Sequence, residues 1–158
     1  MNHQRGVFLL EALVAILIFS LGVLGMVAMG AAAVSAQSDA HYRTEAANLT
    51  DEIASTITLN VDYSSADALA ASLLPFAHQP NGGGCQFTGD KSGDDAVTDW
   101  IAKVSAASSG LPGATGTSQQ IVVATGAGFN RVTVTVCWQA PTDRAMRRHS
   151  MVTYVNRR

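Results

Sequence analysis

Hydrophobic and polar positions divide this chain into stretches of different period. From Val7 to Val34 there are 28 residues, and Glu11 is the only charged one. As a helix the run is about 42 Å long at 1.5 Å per residue, ample for a hydrocarbon core of roughly 30 Å. No Pro or turn cluster interrupts until Asn60, so the helix is expected to continue through 35–59 and to reach about 80 Å. In that continuation Ala36, Ala40, Arg43, Ala47, Thr50 and Ala54 follow one drifting face, and Leu49, Ile53 and Ile57 add a bulkier stripe near its end. Asp39, Glu45, Asp51 and Glu52 lie on the other side. Gly22, Gly25 and Gly30 weaken the first half by about 1 kcal/mol each against Ala, although Gly is common in membrane helices.

Beyond Asn60 the elements are shorter. Val61 to Ser72 reads as a helix, with Ser64 and Asp67 as a variant capping box. Pro75 and Pro80 end it, and Asn81-Gly82-Gly83-Gly84 reads as loop. Cys85 and Phe87 begin a short strand or an anchored loop. Asp94 to Ser108 has the spacing of an amphipathic helix, with Val97, Trp100, Ile101 and Val104 on one face, and Gly110-Leu111-Pro112-Gly113 stops it. The period then becomes two. Strands are predicted over 120–125, 131–139 and 146–155, joined by hairpin loops at Gly126-Ala127-Gly128 and Pro141-Thr142-Asp143. The fold class is α+β, a long N-terminal helix packed against a small antiparallel sheet that heads the chain over 60–158.

Charge and cysteines refine this picture. The formal charge is −2, and nothing global points to nucleic acid. The sign is unevenly spread: Asp90, Asp94, Asp95 and Asp99 crowd the middle, and Arg144, Arg147, Arg148, Arg157 and Arg158 crowd the end. Two solvated surfaces or a charged contact between neighbouring subunits both fit. Arg5 should stay on the cytoplasmic side of a membrane, which sends the residues after Val34 out of the cytoplasm. That compartment permits disulfides. Two cysteines admit one intramolecular pairing, Cys85–Cys137, against free or intermolecular thiols. Asp90 to Asp95 lacks the spacing and terminal Glu of a calcium loop, and reads as a turn and helix start. His3, His41, His78 and His149 are scattered, and no GxSxG, HExxH or P-loop pattern is present. No catalytic centre, metal, cofactor or small-molecule substrate is expected.

A carboxylate inside an apolar run is costly and reads as functional. Glu11 sits five residues beyond a short polar head, Met1 to Gly6, whose single Arg precedes Gly6. A secretory signal has its small-residue cleavage point after the apolar core, whereas here the Arg5-Gly6 boundary comes before it. These residues resemble the type IV pilin family, which includes minor pilins and the pseudopilins of type II secretion. The resemblance implies cleavage by prepilin peptidase between Gly6 and Val7, N-methylation of Val7 and a filament-assembly role for Glu11. Leu9-Leu10-Glu11-Ala12-Leu13-Val14-Ala15 fits the family consensus, while Val7 and Phe8 stand where Phe or Met, then Thr, are usual.

The second half is similar to one subfamily of minor pilins, the type IV pilus modification proteins. Trp100, then Leu111-Pro112-Gly113, then Val132-Thr133-Val134-Thr135-Val136-Cys137-Trp138 carry that likeness, which leaves roughly 60–90 unmatched. It implies a 1–6 leader, a 7–34 transmembrane and filament-core helix, and a head that is first periplasmic and then on a pilus. Other minor pilins and a tip adhesin are the implied partners, and the inner membrane the first location. A minor pseudopilin, or a competence pilin touching DNA through the C-terminal arginines, are the alternatives. Trp100 and Trp138 are expected to anchor the core, each with an indole N–H that needs a partner.

Overall fold

The computed structural model describes residues 4–108, 110–126, 129–141 and 143–157. Part of the expected leader, both central residues of the first hairpin loop, Thr142 and Arg158 therefore lie outside the described residues. The chain divides into two compact units, Met1–His41 and Tyr42–Arg158.

Helix α1 runs unbroken over Gln4–Asn60. Nothing in its sequence removes a backbone donor, because it contains no Pro. Its hydroxyls cause little disruption, since Ser20 and Ser38 donate back to the carbonyls of Ile16 and Val34. The helix ends where Asn60 turns its amide onto the Thr56 carbonyl and the Tyr63 hydroxyl closes on Thr58 O.

The second unit takes the last five turns of α1 and buries one face of them. Ala46, Leu49, Thr50, Ile53, Ala54 and Ile57 are buried at spacings of three and four. The predicted stripe is thus correct at Leu49, Ile53 and Ile57 but starts too early, since Ala36, Ala40 and Arg43 are exposed. Alanine side chains offer little apolar area, so periodicity alone overstates their pull into a core.

Helix α2, Ala66–Leu73, is capped by Ser65, whose hydroxyl accepts from Ala68 N. The predicted cap at Ser64 is corrected by one residue, because Asp62 Oδ1 already takes the Ser64 N–H. Pro75 does not end the helical run outright but opens a 3-10 turn over Leu74–Phe76. Strands β1 (Asn81–Gly83) and β2 (Gln86–Thr88) form a two-stranded hairpin in place of the loop expected at the glycine run. Helix α3, Asp95–Val104, starts one residue after the predicted Asp94, which caps it, and ends four residues early. There the chain folds back, Leu111 N–H donates to the Val104 carbonyl, and Leu111 fills the core.

Strands β3 (Gln119–Gly126), β4 (Phe129–Trp138) and β5 (Arg147–Tyr154) make the predicted antiparallel meander in the order β3-β4-β5. Val132, Val134, Val136 and Trp138 project to one face with Ile121 and pack with Leu49, Ile53 and Ile57 of α1 and Val97, Trp100 and Val104 of α3. The fold is α+β, a long N-terminal helix packed on small antiparallel sheets.

Candidate functional site

The first unit presents its chemistry on a bare helix. Val7, Phe8, Leu9, Leu10 and Leu13 are all exposed, and so is Glu11. Val7 and Glu11 are four residues apart and share a face of α1. The side chains of Arg5 and Gly6 lie outside what is described. No heavy atom stands within 4 Å of a Cβ built on Gly22, Gly25 or Gly30. So much exposed apolar surface on one segment requires a cover of lipid or of other helices. By length and composition α1 holds one segment able to cross a membrane, near the N-terminus.

In the second unit, Cys85 and Cys137 are joined as a disulfide with Cα atoms 5.8 Å apart. The hairpin that delivers Cys85 depends on backbone conformations few residues adopt. Its two turn residues, Gly84 and Cys85, have φ of +61° and +67°, as a type I′ turn requires. At Gly82, φ is +88°, and an added Cβ would stand 2.5 Å from the Gln86 carbonyl. A non-glycine residue in the left-handed region costs about 1–2 kcal/mol, and Cys85 sits there held by its covalent partner. The partner strand is fixed equally firmly, because Gln119 spans the Cys137 backbone, accepting from its N–H at 3.1 Å and donating to its carbonyl at 3.1 Å. Phe87 and Met146 pack around the bridge.

A polar knot missed by the sequence reading joins four segments of this unit. His78 is buried, and its backbone pairs with Ile121 in an isolated bridge. The Ser92 backbone N–H lies 3.2 Å from His78 Nδ1. A backbone N–H can only donate, so Nδ1 accepts and the proton of the neutral ring sits on Nε2. Nε2–H then faces the Gly116 carbonyl at 3.3 Å, which also accepts from the Gln79 amide at 2.6 Å, and these two donor nitrogens stand 2.8 Å apart around their shared acceptor. Ser92 Oγ completes the knot by donating to the Pro75 carbonyl and accepting from Asp94 N–H, which sets the start of α3. These contacts line a cleft of about 390 Å³ between the 89–92 loop, α3 and the 115–117 segment.

Burial pushes the His78 pKa below its usual value and the positive charge of Lys91 adds to this, while the Gly116 carbonyl pulls the other way. The unfolded chain therefore binds the proton more readily. Stability from this group is full above the ordinary histidine value of about 6.5 and falls as pH drops from there to the folded value. Thermal unfolding from pH 7.5 to pH 5 should show this fall, and His78→Asn, whose Oδ1 can still take the Ser92 N–H, should flatten it. An unchanged slope in the variant would assign the pH dependence to other groups.

Both tryptophans are buried, at 3% and 2% exposure for Trp100 and Trp138. Trp100 Nε1 donates to the Leu49 carbonyl at 2.9 Å, tying α3 to α1. Trp138 departs from the expectation, since its indole N–H has no partner among the described residues. Asp143 receives two hydrogen bonds from Arg147, both 2.8 Å, which hold its carboxyl below the usual carboxylate range. The 90–95 acids serve as loop and helix cap, and no cluster of three or more His, Cys, Asp or Glu placed to hold a metal occurs among the described residues. No family model, curated protein or solved structure matches this chain.

Proposed function

We propose that this chain is a minor pilin of the type IV pilus modification class (PilV-like), a structural and assembly subunit with no catalytic step. One observation carries the reading: Glu11 is the lone charge in a fully helical, largely exposed apolar run that begins directly after Arg5-Gly6. In this reading prepilin peptidase cleaves after Gly6, Val7 becomes the N-methylated first residue, and 7–34 anchors the subunit in the inner membrane. The N-terminus is cytoplasmic and the disulfide-bonded head periplasmic until other minor pilins take the subunit into the initiating complex of a pilus. The α+β architecture and a disulfide suited to an oxidising compartment support it.

The mature N-terminus tests it. Mass spectrometry of the protein expressed with the peptidase should give a chain starting at methylated Val7, and a bulky residue in place of Gly6 should leave it unprocessed in the membrane. An intact Met1, or a start near residue 30, refutes the reading. Recovery in sheared surface fibres separates a pilus subunit from a pseudopilin confined to the envelope.

A further inference from the structure

Charge is segregated along this chain. From Asp39 to Gly126 there are ten acids and three bases, and from Phe129 to Arg157 five arginines and one acid, Asp143. The fold converts that order into two faces. Side chains alternate along β4, so Arg131 and Thr133 stand on the face opposite Val132 and Val134. The β1–β2 hairpin covers one end of this outer face, held there by the disulfide and by the Gln120 amide donating to the Gln79 carbonyl.

The other end is bare. Phe129, Val152 and Tyr154 are 52%, 49% and 60% exposed, and the two rings meet edge to face at 5.9 Å. Arg131 lies across from Tyr154, and Arg148 stands further along β5 on the same face. Both are exposed, and neither has an ion pair among the described residues.

The acids are on the other side of the sheet. Helix α3 packs through Trp100 against α1 and the inner sheet face, with Asp95 and Asp99 exposed and Asp90 in the preceding loop. None of the three is in an ion pair among the described residues, and the helix's own base, Lys103, is taken by Glu52. With a β-sheet between them, the arginines and these acids cannot meet within one head.

We propose that the bare basic–aromatic face, Arg131, Arg148, Val152 and Tyr154, docks the acidic start of α3 on a second copy of this chain. The contact joins two different surfaces, so it is heterologous and repeats head to tail instead of closing. Val152 and Tyr154 supply apolar burial, and the arginines set partner choice and register. A long polyanion fits less well, since beyond the patch it would meet the remaining acids. The inference rests on the charges of the head and stands whether or not the pilin reading holds.

The test uses the full chain in detergent micelles, with two fluorescent populations mixed and their association read by energy transfer. Wild type should associate, and association should fall at least tenfold between 50 mM and 500 mM salt as screening shortens. Arg131→Gln with Arg148→Gln removes the basic face, and Asp95→Asn with Asp99→Asn removes the acidic one. Each double variant alone should be monomeric at concentrations where wild type associates. Mixed, they should form a one-to-one pair and grow no further, because one working face remains on each. Undiminished association of either variant with itself overturns the proposal and assigns the contact to the apolar helix. Failure of the mixture to pair, with both variants retaining the wild-type melting temperature, overturns it too. Binding of labelled oligothymidine or heparin to wild type, lost in the arginine variant and with no self-association, replaces the second copy with a polyanion.

Discussion

Reduction of the Cys85–Cys137 bridge is expected to lower the unfolding free energy of the head by about 4 kcal/mol. The bond closes a loop of 52 residues, and the chain entropy released to the unfolded state gives that magnitude. For a unit of this size the melting temperature should fall by roughly 15 °C. The hairpin should feel it first, since Cys85 then keeps a left-handed backbone conformation with no covalent partner to hold it. Gly82→Ala strains the same hairpin from its other strand and should lower thermal stability while leaving the bond formed. Two titratable thiols in protein purified without reductant, or an unchanged melting temperature after reduction, would contradict this account.

If the proposed pilin reading holds, Glu11→Ala is expected to give a subunit that inserts and is processed but is lost from the assembled fibre. In that reading, cleavage after Gly6 would create an α-amino group at Val7, cationic at neutral pH. Within one chain Glu11 can pair with it, four residues along the same face, and also favours the helix N-terminus. If that were its whole role, Ala would be harmless, because it also removes a charge from an apolar run. Among the packed apolar helices of the proposed fibre, however, the incoming subunit's N-terminus would be left buried without its counter-charge. Loss of one member of a buried pair costs roughly 3–5 kcal/mol, a hundredfold or more in incorporation. The measurement is the ratio of Glu11→Ala to wild-type protein in sheared fibres, with membrane levels and N-terminal processing equal. Equal ratios would leave Glu11 as a local helix feature and remove the main support for the assembly role.

Elements whose packing is carried by large side chains were legible in the sequence. Val97, Trp100 and Val104 fixed α3, and the Val132, Val134, Val136 alternation fixed β4, because each apolar side chain must leave water whatever surrounds it. The β1–β2 hairpin was not legible. Asn81-Gly82-Gly83 has no apolar pattern, and the hairpin is defined by positive-φ geometry and a bond to a strand over fifty residues away. The helix expected from Val61 starts only at Ala66, and its cap is Ser65 and not Ser64, because Asp62 takes the Ser64 N–H in an Asx-type bond. The His78 knot gave no signal, since His78 pairs with backbone groups of Ser92 and Gly116 that any sequence would supply, and its side-chain members Gln79 and Ser92 form no pattern in the sequence. At the N-terminal site, position and chemistry were visible, while the biological role of Glu11 came from resemblance.

The stripe on α1 has a consequence for the order in which the chain is made. Leu49, Ile53 and Ile57 are synthesised early, yet the strand residues that bury them, Val132 to Val136, come some eighty residues later. Local contacts inside α1, α2 and α3 form without delay, but the head cannot close its core until β4 has been delivered. Until then the growing chain can set only α2 and α3 against that apolar ladder, and the part that β4 covers stays open. A ribosome stalled at Gly126 would hold helices but no folded head, because β3 would lack β4 and Cys85 its bond to Cys137.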